Sequence, residues 1–186
     1  MSSRFIPIEV FRGHWKGLSD YRSKKPVADN LTRAGLIALP VAAGISIIVF
    51  DGSLAAPGSL LAGVALLAGG FLASFGQISS LRLRLTDRAI DYKDVEQVDR
   101  DALDETAAHL LVASFMSALT ALSLVLGMNL GADAKGAVGG VWAAIAVALA
   151  THVLLVFIIA VPRLYTAYVN INRVRPELSG THRDHR

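Results

Sequence analysis

The stretch Gly136–Pro162, GAVGGVWAAIAVALATHVLLVFIIAVP, runs for 27 residues without an Asp, Glu, Lys or Arg. A bilayer-crossing helix needs ~20 mainly apolar residues, so this run suffices for one passage. Three further charge-free runs, 34–50, 52–81 and 106–132, extend the pattern on the N-terminal side. Together the four hold 101 of 186 residues, and all 33 formal charges lie in the remainder. Soluble domains are about 25% charged and interrupt their apolar stripes with charge; this chain is 18% charged and segregates it. That excludes a soluble globular domain. The pattern predicts an all-α, polytopic integral membrane protein with four transmembrane helices in an up-down bundle, at about 31–50, 59–80, 107–130 and 137–165. The connections at 51–58 and 131–136 are short enough to force tight antiparallel turns.

The basic residues orient the bundle. Lys and Arg resist translocation. Segments 1–33, 82–105 and 163–186 carry 17 of the 18, and only Lys135 lies in a short loop. Both termini are therefore expected in the cytoplasm of a multi-pass bacterial inner (plasma) membrane protein, the excess of Arg over Lys pointing to a bacterial genome. The expected organisation is a cytoplasmic N-terminal segment (1–30), a transmembrane domain (31–165) with a helical hairpin at 82–105, and a cytoplasmic tail (166–186). Tyr165 and Tyr168 fit the inner aromatic belt. A cleaved signal peptide is the rival reading of the first span, but its polar lead of 33 residues is long for that purpose.

In the N-terminal segment, Ile8, Phe11, Trp15 and Leu18 share one helical face flanked by Arg12 and Lys16. Such a helix either lies in the acyl boundary, with its cations on anionic headgroups, or packs on the protein's own helices. Gly13 and Gly17 weaken its continuity. The hairpin concentrates acids in its return arm: Asp91, Asp94, Glu96, Asp99, Asp101, Asp104 and Glu105. These form either a solvated face or a docking patch for a basic cytosolic partner. Their spacing matches no Ca²⁺-binding loop, and no metal site is expected.

Helices already in lipid associate through close backbone approach and interhelical hydrogen bonds. Small residues four apart mark such seams: Gly136, Gly140, Ala144 and Ala148 in the fourth span, and Ala65, Gly69 and Ala73 in the second. Pro40 predicts a kink in the first span. Polar groups inside the spans are few, with Gln77, Ser117 and His152 the most informative. His152 lies eleven residues before Arg163, about 16 Å from the inner boundary at helical rise. It is expected either to hydrogen-bond a facing hydroxyl or carbonyl or to serve as a sensitive polar point at an interface or pore. The level matches Ser114–Ser117 and Gly70–Ser74. His109, four residues after Glu105, reads as a helix-surface pair.

Apart from Arg33 and Arg163 at their inner ends, the spans contain no acid, Lys or Arg, which argues against an ion-coupled carrier. Without cysteine there is no disulfide or thiolate chemistry, and no enzyme motif is present. No catalytic residue and no cofactor is expected, and no nucleic-acid partner. In span count and inward-facing polar surface, the layout resembles small multi-span membrane components of bacterial stress or phage-defence systems. The expectation is a non-enzymatic, self-associating protein, its partners the lipid bilayer, other copies of itself and a soluble cytoplasmic protein. The alternatives are an oligomeric pore or permeabilising effector and an accessory subunit of a larger membrane complex.

Overall fold

The computed structural model describes residues 8–20, 27–88, 93–172 and 174–175. Five helices account for nearly all of them: α1 (Ile8–Gly17), α2 (Asn30–Val49), α3 (Pro57–Arg88), α4 (Lys93–Leu130) and α5 (Gly140–Ile171). Four of these are long and apolar enough to cross a membrane, over Asn30–Val49, Pro57–Leu83, Leu103–Leu130 and Gly140–Val169. The charge-free runs thus locate the helices. The helices outlast the runs at one end, because a helix leaving an apolar medium keeps its backbone bonds if its residues are good helix formers. The LRLRL stretch at 81–85, whose alternation would also suit a strand, lies inside α3.

The helices neighbour one another in the order α3–α4–α5–α2, and α1 lies against α4. Among the described residues, the inner helix α4 carries nearly all the buried polar side chains. Thr106, His109, Ser117 and Thr120 are fully buried. Several of its hydroxyls are satisfied within α4 itself: Ser117 donates to Ala113 O and Thr120 to Met116 O, both at 2.8 Å. A continuous apolar core joins Phe71 and Ile78 of α3, Leu103 and Leu110 of α4, and Val153 and Val156 of α5.

Two turns lie at one end of the bundle. After α2, Asp51 takes a left-handed backbone (φ 49°), while Gly52 N donates to Ile47 O and Asp51 N to Ile48 O. Those bonds satisfy carbonyls that the helix end would otherwise leave bare. The strand Ser53–Leu54 (β3) pairs antiparallel with Val138–Gly139 (β4), tying the α2–α3 and α4–α5 connections together. In the latter, Asp133 Oδ1 accepts from the amides of Lys135 and Ala137. Gly136 and Gly140 adopt φ of 79° and 58°, a region favourable only to glycine. The ridge expected from Gly136 to Ala148 is thus two features: the glycines make the turn, and packing begins inside α5. Near the opposite end, Ser19–Asp20 (β1) pairs with Val27–Ala28 (β2). There too Arg82 of α3 meets Asp104 of α4 at 3.1 Å.

Candidate functional site

The first helix builds the most polar buried site among the described residues. Glu9 in its first turn and Lys16 in its last suit the helix dipole, but its position comes from packing. Gly13 and Gly17 face α4 so closely that a Cβ at 17 would lie 3.2 Å from His109 Cε1, and one at 13 would lie 3.4 Å from Ala108 Cβ. The two glycines that weaken the helix in isolation permit its contact with α4. Phe11 meets Phe115 edge to face at 5.7 Å, and Leu18 is buried in the main core. Part of the apolar stripe therefore packs on protein. Trp15 remains 40% exposed and is covered by Arg33, whose guanidinium sits 5.4 Å from the ring and donates to Trp15 O.

Beneath α1, Arg163 of α5 gathers three acceptors on Nη1: Gly17 O at 2.8 Å, Glu105 Oε2 at 2.9 Å and His109 Nε2 at 3.0 Å. The nitrogen has two hydrogens, so one is shared. The guanidinium satisfies a carbonyl at the end of α1 and joins α1, α4 and α5 at one atom. Glu105 serves Arg163 here rather than forming the simple surface pair with His109 expected from their spacing.

The proton positions follow from donor inventory. Arginine has no acceptor, so His109 Nε2 must offer its lone pair, and its proton must sit on Nδ1. His109 Nδ1 lies 2.7 Å from His14 Nδ1, and it donates there. Neutral His14 then carries its proton on Nε2. Burial holds His14 mainly neutral, lowering its pKa from 6.5 to about 4, with His152 and Arg163 adding repulsion. The chain Arg163→His109→His14 is therefore polarised in one direction.

His152 completes the group, its ring centroid 6.5 Å from that of His14. Its Nδ1 lies 3.0 Å from Leu36 O, an acceptor, so Nδ1–H donates to α2. This carbonyl is available for a reason legible in the primary structure. Pro40, four residues on, has no N–H, so Leu36 O lacks its helical donor, and His152 supplies one. The expected hydrogen bond to a facing carbonyl is present, but the partner belongs to the first span rather than to the serine-bearing second or third. We expect His152→Leu to destabilise the protein by ~1–3 kcal/mol, the cost of a buried polar group left unpaired. In a Pro40→Ala background, where residue 40 regains its amide, the same substitution should cost clearly less. Equal costs in the two backgrounds, read by thermal unfolding in detergent, would disprove the link.

A cavity of about 860 Å³ opens between α1 and the bundle. Ile8, Phe11, Trp15, Val112 and Met116 make its apolar walls; Arg12 and Lys16, both exposed, supply its cations. His14 and His152 also reach it. Given the tautomers above, the His14 Nε2–H makes no hydrogen bond among the described residues. A second cavity of about 570 Å³ includes Gln77, Tyr165, Tyr168 and Asn172 in its lining.

The packing residues divide between two roles. Ala144 and Ala148 of α5 receive Gly44 of α2, where a Cβ would lie 3.0 Å from Ala144 O and 3.2 Å from Ala148 Cβ. Ala65, Gly69 and Ala73 of α3 are exposed on the single chain. Ser117 is spent within its own helix, away from His152. Of the acidic arm, Asp101 is exposed, Asp104 pairs with Arg82 and Glu105 with Arg163. Asp91 and the side chains of Asp94, Glu96 and Asp99 lie outside the described residues, as does the tail from residue 176.

His14 is the residue that the sequence reading passes over. Its signals are the Gly13-x-x-x-Gly17 spacing, a close-approach pattern overlapping a histidine, and an arginine at 163 that needs a partner at the edge of a span. Among the described residues, no group of three or more His, Asp or Glu side chains is arranged to hold a metal ion. Compared with models of protein families, with curated proteins and with solved structures, the chain matches none.

Proposed function

We propose that this chain is a non-enzymatic, self-associating bacterial inner-membrane protein that docks a soluble partner or senses the membrane through its cytoplasmic face. In this reading the four spans form an up-down bundle. Both termini and the acidic hairpin at 82–105 lie inside, as the distribution of 17 of 18 basic residues supports. The cytoplasmic face comprises α1 held on the bundle, the acidic arm and the end of α5. A role as the membrane component of a stress or phage-defence system follows from the same layout.

The observation that carries self-association is the outward face of α3. A Cβ added at Gly63, Gly69, Gly70 or Gly76 would meet nothing within 4 Å, and Ala65 and Ala73 are likewise exposed. In lipid such a face gains by receiving another helix closely, because apolar side chains already have apolar surroundings. The comparable face of α5 is occupied by Gly44. Among the described residues nothing covers the α3 face, which leaves it to a second copy in this reading.

Paired substitution Ala65→Leu with Gly69→Leu tests this in nanodiscs, with copy number read by native mass spectrometry. We expect at least a tenfold loss of association with helical content unchanged. An undiminished oligomer would overturn α3 as the seam, and a wild-type protein found monomeric would overturn self-association altogether. Ion flux through wild-type proteoliposomes would instead favour the pore.

A further inference from the structure

The cavity beneath α1 combines features that ordinary helix packing does not require. Its walls are apolar, and it lies within the ~300–1,000 Å³ range of small-molecule sites. Arg12 and Lys16 stand one helical turn apart on α1, both exposed. Among the described residues no carboxylate lines the cavity. Glu105 of α4 is turned to Arg163. His14 Nε2–H makes no hydrogen bond among the described residues, while its Nδ1 is committed to His109.

We propose that this cavity is a binding site for an anionic phospholipid, with the phosphate held between Arg12 and Lys16 and one acyl chain against Phe11 and Met116. The chemistry of each part selects the occupant. Two cations a turn apart suit a phosphate, which takes charge-assisted hydrogen bonds from both. An acyl chain is what an apolar wall beside a bilayer meets at highest concentration. Free inorganic phosphate would leave the apolar part of the cavity unfilled, and a zwitterionic lipid would bring a cation against Arg12 and Lys16. His14 Nε2–H offers a third donor, so occupancy would tie α1 more firmly to the bundle. The proposal rests on the membrane-spanning reading and is independent of self-association through α3.

The test uses the full chain purified in mild detergent, with dioleoyl phosphatidylglycerol, dioleoyl phosphatidylcholine and inorganic phosphate as separate probes. Binding is read by native mass spectrometry. We expect phosphatidylglycerol to be retained at least tenfold more than phosphatidylcholine. Arg12→Gln with Lys16→Gln should abolish that preference. Met116→Trp, which fills the cavity and keeps every charge, should reduce retention of both lipids. Equal retention of the two lipids would overturn the proposal. So would a preference that survives the double substitution, lipid retention unaffected by Met116→Trp, or displacement of the lipid by millimolar phosphate. Hydrogen exchange over residues 8–17 shows that each variant keeps α1 in place, and a variant that loses it is replaced by Arg12→Lys with Lys16→Arg, which should restore the preference.

Discussion

Replacing Arg163 with Met should release α1 from the bundle. One nitrogen of Arg163 serves the carbonyl of Gly17, the carboxylate of Glu105 and the imidazole of His109. Without it Glu105 is left as a charge that is only 17% exposed, and the α1 carbonyl loses its donor. Removing one partner of a buried pair costs ~3–5 kcal/mol. Arg163 itself is 31% exposed, so we expect about 3 kcal/mol, the lower end of that range. Spread over the docking equilibrium of α1, this corresponds to a loss of more than about 100-fold in the docking constant. Amide exchange across residues 8–17 should rise accordingly, while exchange in α4 and α5 changes little. Arg163→Lys should recover only part of the loss, because an ammonium does not reproduce the planar reach of a guanidinium. Unchanged exchange in Arg163→Met would show that apolar contacts alone hold α1.

Acidification should loosen the same helix. Docked, His14 has its pKa lowered from 6.5 to about 4, first by burial and then by His152 and Arg163. Above pH 6.5 the docked and released helices both hold His14 neutral, and docking is unimpaired. As the pH falls below 6.5, a released His14 binds a proton that the docked one refuses, so docking weakens until about pH 4. Between pH 7 and pH 5 the two values imply a fall of about 20-fold in the docking constant, near 2 kcal/mol. The groups facing His14 are His109 from α4 and His152 and Arg163 from α5, with Glu105 paired to Arg163. Trp15 fluorescence in a Trp142→Phe background reads the transition, and His14→Gln should flatten it between pH 7 and pH 5. A wild-type signal independent of pH over that interval would refute the assignment.

These two expectations concern a site that the primary structure shows only in pieces. The spans are legible because the bilayer demands long uncharged runs, and Gly136–Pro162 alone announces the class. The helical extensions follow the same physics: α3 runs on to Arg88 and α5 to Ile171 because leaving an apolar layer does not stop a helix. The value of His152 is legible from its depth, but its partner is not. Pairing depends on which helices are neighbours, and α2 lies on α5 rather than beside α3. The missing amide of Pro40 points to the partner once that adjacency is known. The stripe through Phe11, Trp15 and Leu18 looks alike in the sequence whether lipid or protein covers it. Leu18 is in the core and Trp15 is not. Gly13 and Gly17 show where the difference lies, since the close neighbours of both are α4 side chains rather than fluid lipid.

The pairing of α2 with α5 also sets an order for biogenesis. During synthesis the first span enters the bilayer before its partner exists. Gly44 must wait for Ala144 and Ala148, Leu36 for His152, and the end of α1 for Arg163. In each case the awaited residue lies on α5, so these contacts form only once that helix has been made. Any truncation before α5 therefore strands α2, while α1 keeps only its contacts with α4.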